Sequence, residues 1–225
     1  MDPLKLVRIT TDSGLLPQKV YDLLNDRFHF VAQGISRVEK ATGIKYPLYY
    51  IEPKLVISTS EVESGQFAIL FARTIPVILN GQLTTVVQLT APLITYALMG
   101  TIHAILAHEF LHYLHLMRKM IKMDIISDEV SSSLFEEWYI DHSHMIQEKV
   151  VFKRDPYLVR HLLSKFSTGF KDSRLENKVI REWMHKGLPV TKIRLDSNVT
   201  KLPIEKIASA KIDPELKEKI LGFEI

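Results

Sequence analysis

The chain has 225 residues, of which 46% are hydrophobic and 24% charged, so it can bury a core as one large or two small domains. Its formal net charge is only +3 and its basic residues are spread along the sequence, which argues against a nucleic-acid-binding protein. The chain contains no cysteine, so a disulfide framework, thiolate metal ligands and a cysteine nucleophile are excluded. Any metal ion must therefore be held by His, Glu or Asp.

The first half of the chain predicts a helix, then strands, then a second helix. Apolar residues keep helical spacing from residue 20 to residue 38, and this first amphipathic helix is expected to end at Gly43. Residues 48–58 and 66–89 are rich in Val, Ile, Phe and Tyr, which predicts strands. Asn80-Gly81 predicts a type I′ hairpin. Ala91-Pro92 is the expected start of the second helix.

A membrane span is the competing interpretation of the middle of the chain. The 25 residues from 83 to 107 carry no formal charge, and a stretch of this length is long enough to cross a bilayer. The predicted hairpin and Pro92 divide this stretch into strand and helix, so a buried sheet followed by a buried helix is favoured. Residues 1–8 lack a basic segment followed by an apolar one, so no secretory signal is expected and the cytoplasm is the expected location.

The run His108-Glu109-Phe110-Leu111-His112 falls inside the second predicted helix. Residues four apart on a helix lie one turn above each other, so the two imidazoles are expected to converge on one point. Glu109 lies about 100° round the helix from His108, near enough to reach a water on a metal ion without being a ligand. Zinc lowers the pKa of such a water to about 7, and the carboxylate can accept its proton. The run therefore predicts a hydrolase site that holds one zinc ion.

A catalytic zinc ion needs a third protein ligand, which the sequence supplies downstream. The metzincin pattern is excluded because Arg118 stands where its third His would fall. A predicted helix beginning at Ser131 places Glu137 and Asp141 on one face, so Glu137 is the predicted ligand. Asp141 is expected to accept a hydrogen bond from a metal-bound His. The alternative third ligands are Glu136, His142 and His144.

His108-Glu109-x-x-His112 followed by Glu137-x-x-x-Asp141 resembles the gluzincin pattern of thermolysin-like zinc metallopeptidases and archaeal minigluzincins, over about 35 of the 225 residues. The resemblance implies peptide-bond hydrolysis with Glu109 as general base and acid, zinc on His108, His112 and Glu137, and Asp141 supporting a ligand. The aminopeptidase sequence Gly-x-Met-Glu-Asn is missing, which favours an endopeptidase.

The expected fold is α+β and zincin-like. It has an amino-terminal backing helix, a small mostly antiparallel sheet, the metal helix, a ligand helix and a mainly helical carboxyl-terminal part. Residues 1–150 form the expected catalytic domain and residues 151–225 the carboxyl-terminal subdomain, or the two are continuous. Helices are expected at residues 157–166 and 175–185. In the zincin scaffold an edge strand binds extended substrate, and residues 77–79 or 86–89 are the candidates, with Pro76 typical of an edge.

Other side chains are weaker candidates. Tyr139, His161 and His185 are candidate hydrogen-bond donors to the transition state. His115 is expected to be a partly exposed residue; the alternatives are that it contacts a metal ligand or faces the substrate. The polar tail from residue 192 to residue 225 suggests a latent form, as in minigluzincins, in which it occupies the substrate groove. Truncation at about Val190 would then raise activity.

The predicted function is a zinc-dependent metallopeptidase that acts on a peptide or protein substrate. One alternative is a non-catalytic zincin-fold protein that serves in binding or regulation. Two further alternatives keep the metal ion: a membrane-associated zinc protease, and an enzyme that hydrolyses a non-peptide amide or ester.

Overall fold

The computed structural model of the protein describes residues 2–59, 67–122, 146–167, 169–194 and 212–223. Helices and two small sheets confirm the α+β class. In chain order the elements are α1 (Lys5–Asp12), α2 (Gln18–Arg27), α3 (His29–Thr42), β1 (Leu48–Glu52), β2 (Leu55–Thr59), β3 (Phe67–Leu70), β4 (Ala72–Leu79), β5 (Gln82–Thr90), α4 (Ala91–Tyr96), α5 (Met99–Lys122), α6 (Glu148–Val151), α7 (Pro156–Phe166), α8 (Ser173–Val179) with a π-helical turn (Ile180–Met184), β6 (Val190–Arg194) and α9 (Pro214–Leu221).

The single helix predicted from residue 20 to residue 38 is wrong, because the chain forms two helices that meet at Phe28. The backbone N–H of Phe28 bonds the carbonyl of Asn25, a tighter turn than the α-helical one. The ring nitrogen Nδ1 of His29 lies 2.8 Å from the carbonyl oxygen of Asp26 and so replaces a main-chain partner. The predicted end at Gly43 is confirmed, since this residue closes α3 with a positive φ of 71°.

Within the described residues, each of the two sheets has three strands and contains one parallel and one antiparallel pair. The first has the order β1-β5-β4, with β1 and β5 parallel, and the second has the order β3-β2-β6, with β2 and β6 parallel. The prediction of a mostly antiparallel sheet is therefore wrong. The predicted hairpin is confirmed, because Asn80 and Gly81 have φ values of 51° and 78° between β4 and β5.

The strand order decides between the two predicted edges. Residues 86–89 lie in β5, which is central between β1 and β4, so that candidate is wrong. Residues 77–79 lie in β4, which has β5 as its only neighbour among the residues that the structure describes. Pro76 also lies in β4, at a position where a strand with one free edge tolerates a residue without an N–H.

The helix that carries the His pair begins at Met99 and not at Pro92. The chain first forms the short helix α4, which ends where Ala97 adopts an extended backbone. The guanidinium of Arg27 donates to the carbonyl oxygens of Ile94, at 2.9 Å, and of Ala97, so it holds the end of α4. Helix α5 then runs for 24 residues. Within the described ranges, no helix has the length and apolar character needed to span a membrane.

Helix α3 packs directly against α5, with Gly34 at the crossing. A Cβ atom at Gly34 would lie 2.6 Å from Cδ1 of Leu106 and 2.7 Å from Cδ2 of His103, so a larger residue would force these side chains to shift. Residues from both sides of residue 150 contribute to each of two hydrophobic clusters. One cluster surrounds Phe110 and the other surrounds Leu106, so α5 is central to both.

Candidate metal centre

His108 and His112 meet on one face of α5, as the spacing predicts. Their Nε2 atoms lie 3.0 Å apart and their rings are nearly perpendicular, at 88°. Two nitrogen ligands of one tetrahedral zinc ion, each at about 2.0–2.1 Å, are separated by roughly 3.3 Å. The observed separation is close to that of two ligands of a single ion. A ring-to-ring hydrogen bond has the same length, so metal content is the measurement that separates the two.

Of the predicted metal ligands, the structure describes His108 and His112. Within the described ranges, no group of three or more His, Asp or Glu side chains is close enough to share a metal ion. The predicted third ligand and its supporting aspartate fall in residues 123–145, outside these ranges. The same applies to every alternative ligand and to one candidate transition-state donor. The residues concerned are Glu136, Glu137, Tyr139, Asp141, His142 and His144.

Glu109 is buried between α5 and the edge strand β4, with 6% of its surface exposed. Its Oε2 atom accepts a hydrogen bond of 2.7 Å from the Thr74 hydroxyl, which also lies 3.0 Å from the Glu109 carbonyl oxygen. Burial raises the pKa of Glu109 to about 7, against the opposing effects of the Thr74 hydrogen bond and the positive charge of Arg73. A carboxyl group with this pKa can both accept and release a proton near neutral pH.

An aromatic ring covers one face of the first histidine. Phe166, the last residue of α7, stacks on His108 with ring centroids 3.8 Å apart and ring planes 8° apart. Phe170 packs against Phe166 at 5.4 Å, and Phe71 packs against Phe170 at 5.3 Å. These rings fix the orientation of the His108 imidazole and exclude water from one side of it.

Sequence reasoning missed Thr74 and Phe166 as members of the site. Thr74 precedes Glu109 by 35 residues and belongs to another element, so no local spacing links the two. Phe166 appeared only as the end of a predicted helix, and that helix is confirmed as α7. The alternation of side chains along β4 was the one signal in the sequence that could have indicated Thr74. It places Thr74 on the same face of this edge strand as Pro76.

The three other candidate histidines have distinct positions. His115 is buried, with 9% of its surface exposed, so the expected partly exposed position is wrong. His161 is exposed and lies beside Gly100, where its Nε2 atom would be 2.5 Å from an added Cβ. Gly100 precedes His108 by eight residues, about 12 Å along the helix. His185 lies on the exposed turn that follows the π-helical turn.

The chain was compared with protein families, curated proteins and solved structures. No protein-family model matches the chain, and neither a curated protein nor a solved structure does.

Proposed function

We propose that this protein is a zinc-dependent metallopeptidase with a gluzincin-like, zincin-type active site. The observation that carries the proposal is the combination of two converging imidazoles with a buried carboxyl group between them in sequence. The Nε2 atoms of His108 and His112 lie 3.0 Å apart, and the pKa of Glu109 is raised to about 7. A structural histidine pair has no need of such a carboxyl group beside it, whereas hydrolysis does.

Different side chains have different roles in the proposed hydrolysis. His108, His112 and, as proposed, Glu137 would hold the zinc ion, with Asp141 supporting one of the imidazoles. Bound zinc supplies Lewis acidity, which polarises a carbonyl group and makes water more acidic. Glu109 accepts the proton of the attacking water and then delivers it to the leaving amine. Thr74 holds the Oε2 atom of Glu109, so Oε1 is the oxygen that takes part in this transfer.

The position of β4 favours a peptide over another amide or an ester. The strand has a free edge in the part of the chain that the structure describes, and it contacts Glu109 through Thr74. An extended peptide can add to such an edge through main-chain hydrogen bonds. Its scissile bond would then lie beside the general base. Binding along a strand also suits an endopeptidase, because it does not require a chain terminus.

Metal content, measured by elemental mass spectrometry, tests the ligand set. We expect about one zinc ion per chain in the wild type and its loss in His112→Ala and Glu137→Ala. His161→Ala is the matched control, because this exposed histidine lies beside Gly100 and should leave the zinc content unchanged. A wild type without zinc, or zinc retained in His112→Ala, would contradict the metal site.

A peptidase assay then tests the role of Glu109. Glu109→Gln should keep its zinc and lose peptide hydrolysis, because an amide cannot accept the proton of water. Zinc retained together with unchanged hydrolysis would mean that Glu109 is not the base. A zinc-loaded wild type that hydrolyses no peptide would instead favour the non-catalytic binding protein.

A further inference from the structure

A row of polar side chains crosses the first sheet on the face opposite to α5. Thr74 points towards Glu109 of α5, and neighbouring residues of a strand point to opposite faces, so Arg73 lies on the other face. Arg73 pairs in register with Gln88 of β5, and Gln88 pairs with Tyr50 of β1. The row therefore crosses all three strands of this sheet, from the edge strand β4 through the central strand β5 to β1.

Gln88 holds the Arg73 guanidinium in a fixed position. Its Oε1 atom accepts a hydrogen bond of 2.7 Å from Nε of Arg73. Its Nε2 atom donates to the Tyr50 hydroxyl at 2.6 Å and to Oε2 of Glu52 at 3.2 Å. Only 3% of the Gln88 surface is exposed, so this amide is rigidly placed. The network anchors the Nε side of the guanidinium.

The two terminal nitrogens of the Arg73 guanidinium take no part in the hydrogen bonds to Gln88 described above. Within the described ranges they donate to no acceptor, and Arg73 forms no salt bridge there. The carboxylate of this network, Glu52, accepts its hydrogen bond from Gln88. A guanidinium with two terminal N–H groups in a fixed plane is suited to a carboxylate, which it binds through two parallel hydrogen bonds.

We propose that Arg73 binds an acidic side chain of the substrate and so makes the enzyme selective for peptides with Asp or Glu beside the cleaved bond. The inference rests on the proposed function and on peptide addition to β4. Paired residues of neighbouring strands have their side chains on the same face, so the peptide residue opposite Arg73 faces this guanidinium. The next peptide residue lies opposite Thr74, whose hydroxyl holds the general base. The acidic residue is therefore adjacent to the reacting bond.

Cleavage of a synthetic peptide library, with products identified by mass spectrometry, tests the selectivity. Zinc-loaded wild type should show enrichment of Asp and Glu at one position beside the cleaved bond. For the best substrate, replacing that acidic residue by its amide should raise KM about tenfold, which is the range of a charged hydrogen bond. Arg73→Gln should cleave the acidic and amide peptides with the same KM, and Arg73→Glu should prefer Lys or Arg at that position.

Lys192→Gln is the matched control, because it removes the same charge from an exposed position on β6 of the other sheet. It should keep the acidic preference. Equal cleavage of acidic and amide peptides by the wild type, or a preference retained in Arg73→Gln, would overturn the role of Arg73 and leave the metallopeptidase standing. Absence of any cleavage by the zinc-loaded wild type would overturn the proposed function, and this inference with it.

Discussion

At the scale of single residues, the candidate site depends on one hydroxyl group that reaches Glu109, the proposed general base, from a strand. The Thr74 hydroxyl lies 2.7 Å from Oε2 of Glu109 and leaves Oε1 without this constraint. A carboxylate that is held at one oxygen loses less freedom when it meets water at the other. The strand that is expected to bind substrate thus also orients the base.

Thr74→Val, which removes the hydroxyl and keeps the shape, should lower kcat by about tenfold to a hundredfold. The zinc content should not change, since Thr74 bonds the base and not a proposed ligand. Thr74→Ser keeps the hydroxyl and should retain most of the activity. The measurement is steady-state kinetics on the three proteins, with zinc content determined in parallel. An equal loss in the Ser and Val variants would mean that packing, and not the hydrogen bond, is responsible.

Phe166 should affect zinc binding through its contact with His108. Its ring lies parallel to the imidazole at 3.8 Å, and such a contact contributes about 0.5–1.5 kcal/mol beyond the area it buries. Phe166→Leu should therefore weaken zinc affinity by about threefold to tenfold, measured by competition with a chelator. Phe170→Leu is the comparison variant, because in the described part of the chain Phe170 packs on Phe166 and Phe71, whereas Phe166 stacks on His108; it should weaken zinc affinity less than Phe166→Leu does. Equal affinities in wild type and Phe166→Leu would show that the stack does not orient His108.

At the scale of elements, an ion pair joins α3 to the start of α7, the helix that ends at Phe166. Arg37 donates from Nε and Nη2 to the two carboxylate oxygens of Asp155, at 2.6 and 2.9 Å. Asp155 also caps α7 by accepting from the N–H of Leu158, at 2.9 Å. The position of α7 against α5 is thus supported at its first turn as well as by its buried face.

The hydrogen bonds from Arg37 lower the pKa of Asp155, against a smaller opposing effect of burial. A lowered pKa in the folded state means that the charged carboxylate stabilises the protein above the unfolded pKa of about 3.9. This contribution is lost as the pH falls below that value. Asp155→Asn should therefore lower stability by about 1 kcal/mol at pH 7, since the pair is partly exposed, and by less near pH 3.

Thermal unfolding of wild type and Asp155→Asn at the two pH values measures this difference. Asp213→Asn is the control, because this aspartate caps α9 through Glu215 and Leu216 without an arginine partner among the described residues. At pH 7 this variant should lose less stability than Asp155→Asn does. A difference for Asp155→Asn that does not shrink in acid would mean that charge is not the origin of its effect.

At the scale of the whole molecule, local patterns predicted the elements that local forces determine. The turn at Asn80-Gly81, the end of α3 at Gly43 and the convergence of His108 with His112 all follow from nearest-neighbour geometry. The start of α5 could not be predicted, because Arg27 ends α4 through bonds to residues 67 and 70 positions away.

The same distinction applies to strands and to the site. Parallel pairing of β1 with β5 and of β2 with β6 joins segments far apart in sequence, and alternation within one strand does not specify the direction of its partner. Thr74 and Phe166 reach the site through tertiary packing alone. Residue type and spacing therefore predicted the groups that are proposed to carry the chemistry, whereas the groups that contact them from other elements required the fold.

The carboxyl-terminal helix α9 belongs to the core of the molecule, which changes the expectation for truncation. Ile220 is fully buried in the cluster around Phe110 of α5. The Lys219 ammonium donates to the carbonyl oxygen of Gly43 at 2.7 Å, where it meets the end of α3. Truncation at Val190 would remove this helix and also β6, which pairs with β2. Such a truncation therefore removes contacts that hold the fold together, in addition to any segment that would occupy the substrate groove.

Removal of residues 212–225 should therefore destabilise the protein instead of activating it. Ile220→Ala should by itself cost about 2–5 kcal/mol of unfolding free energy, because it leaves a cavity beside α5. Glu218→Ala, at an exposed position of the same helix, should change the free energy by less than about 0.5 kcal/mol. Urea unfolding and peptidase assays on the truncated protein, Ile220→Ala and Glu218→Ala test whether α9 stabilises the fold or inhibits activity. A truncated protein that is as stable as the wild type and more active would restore the hypothesis of an inhibitory tail, because the contacts of Ile220 would then be dispensable.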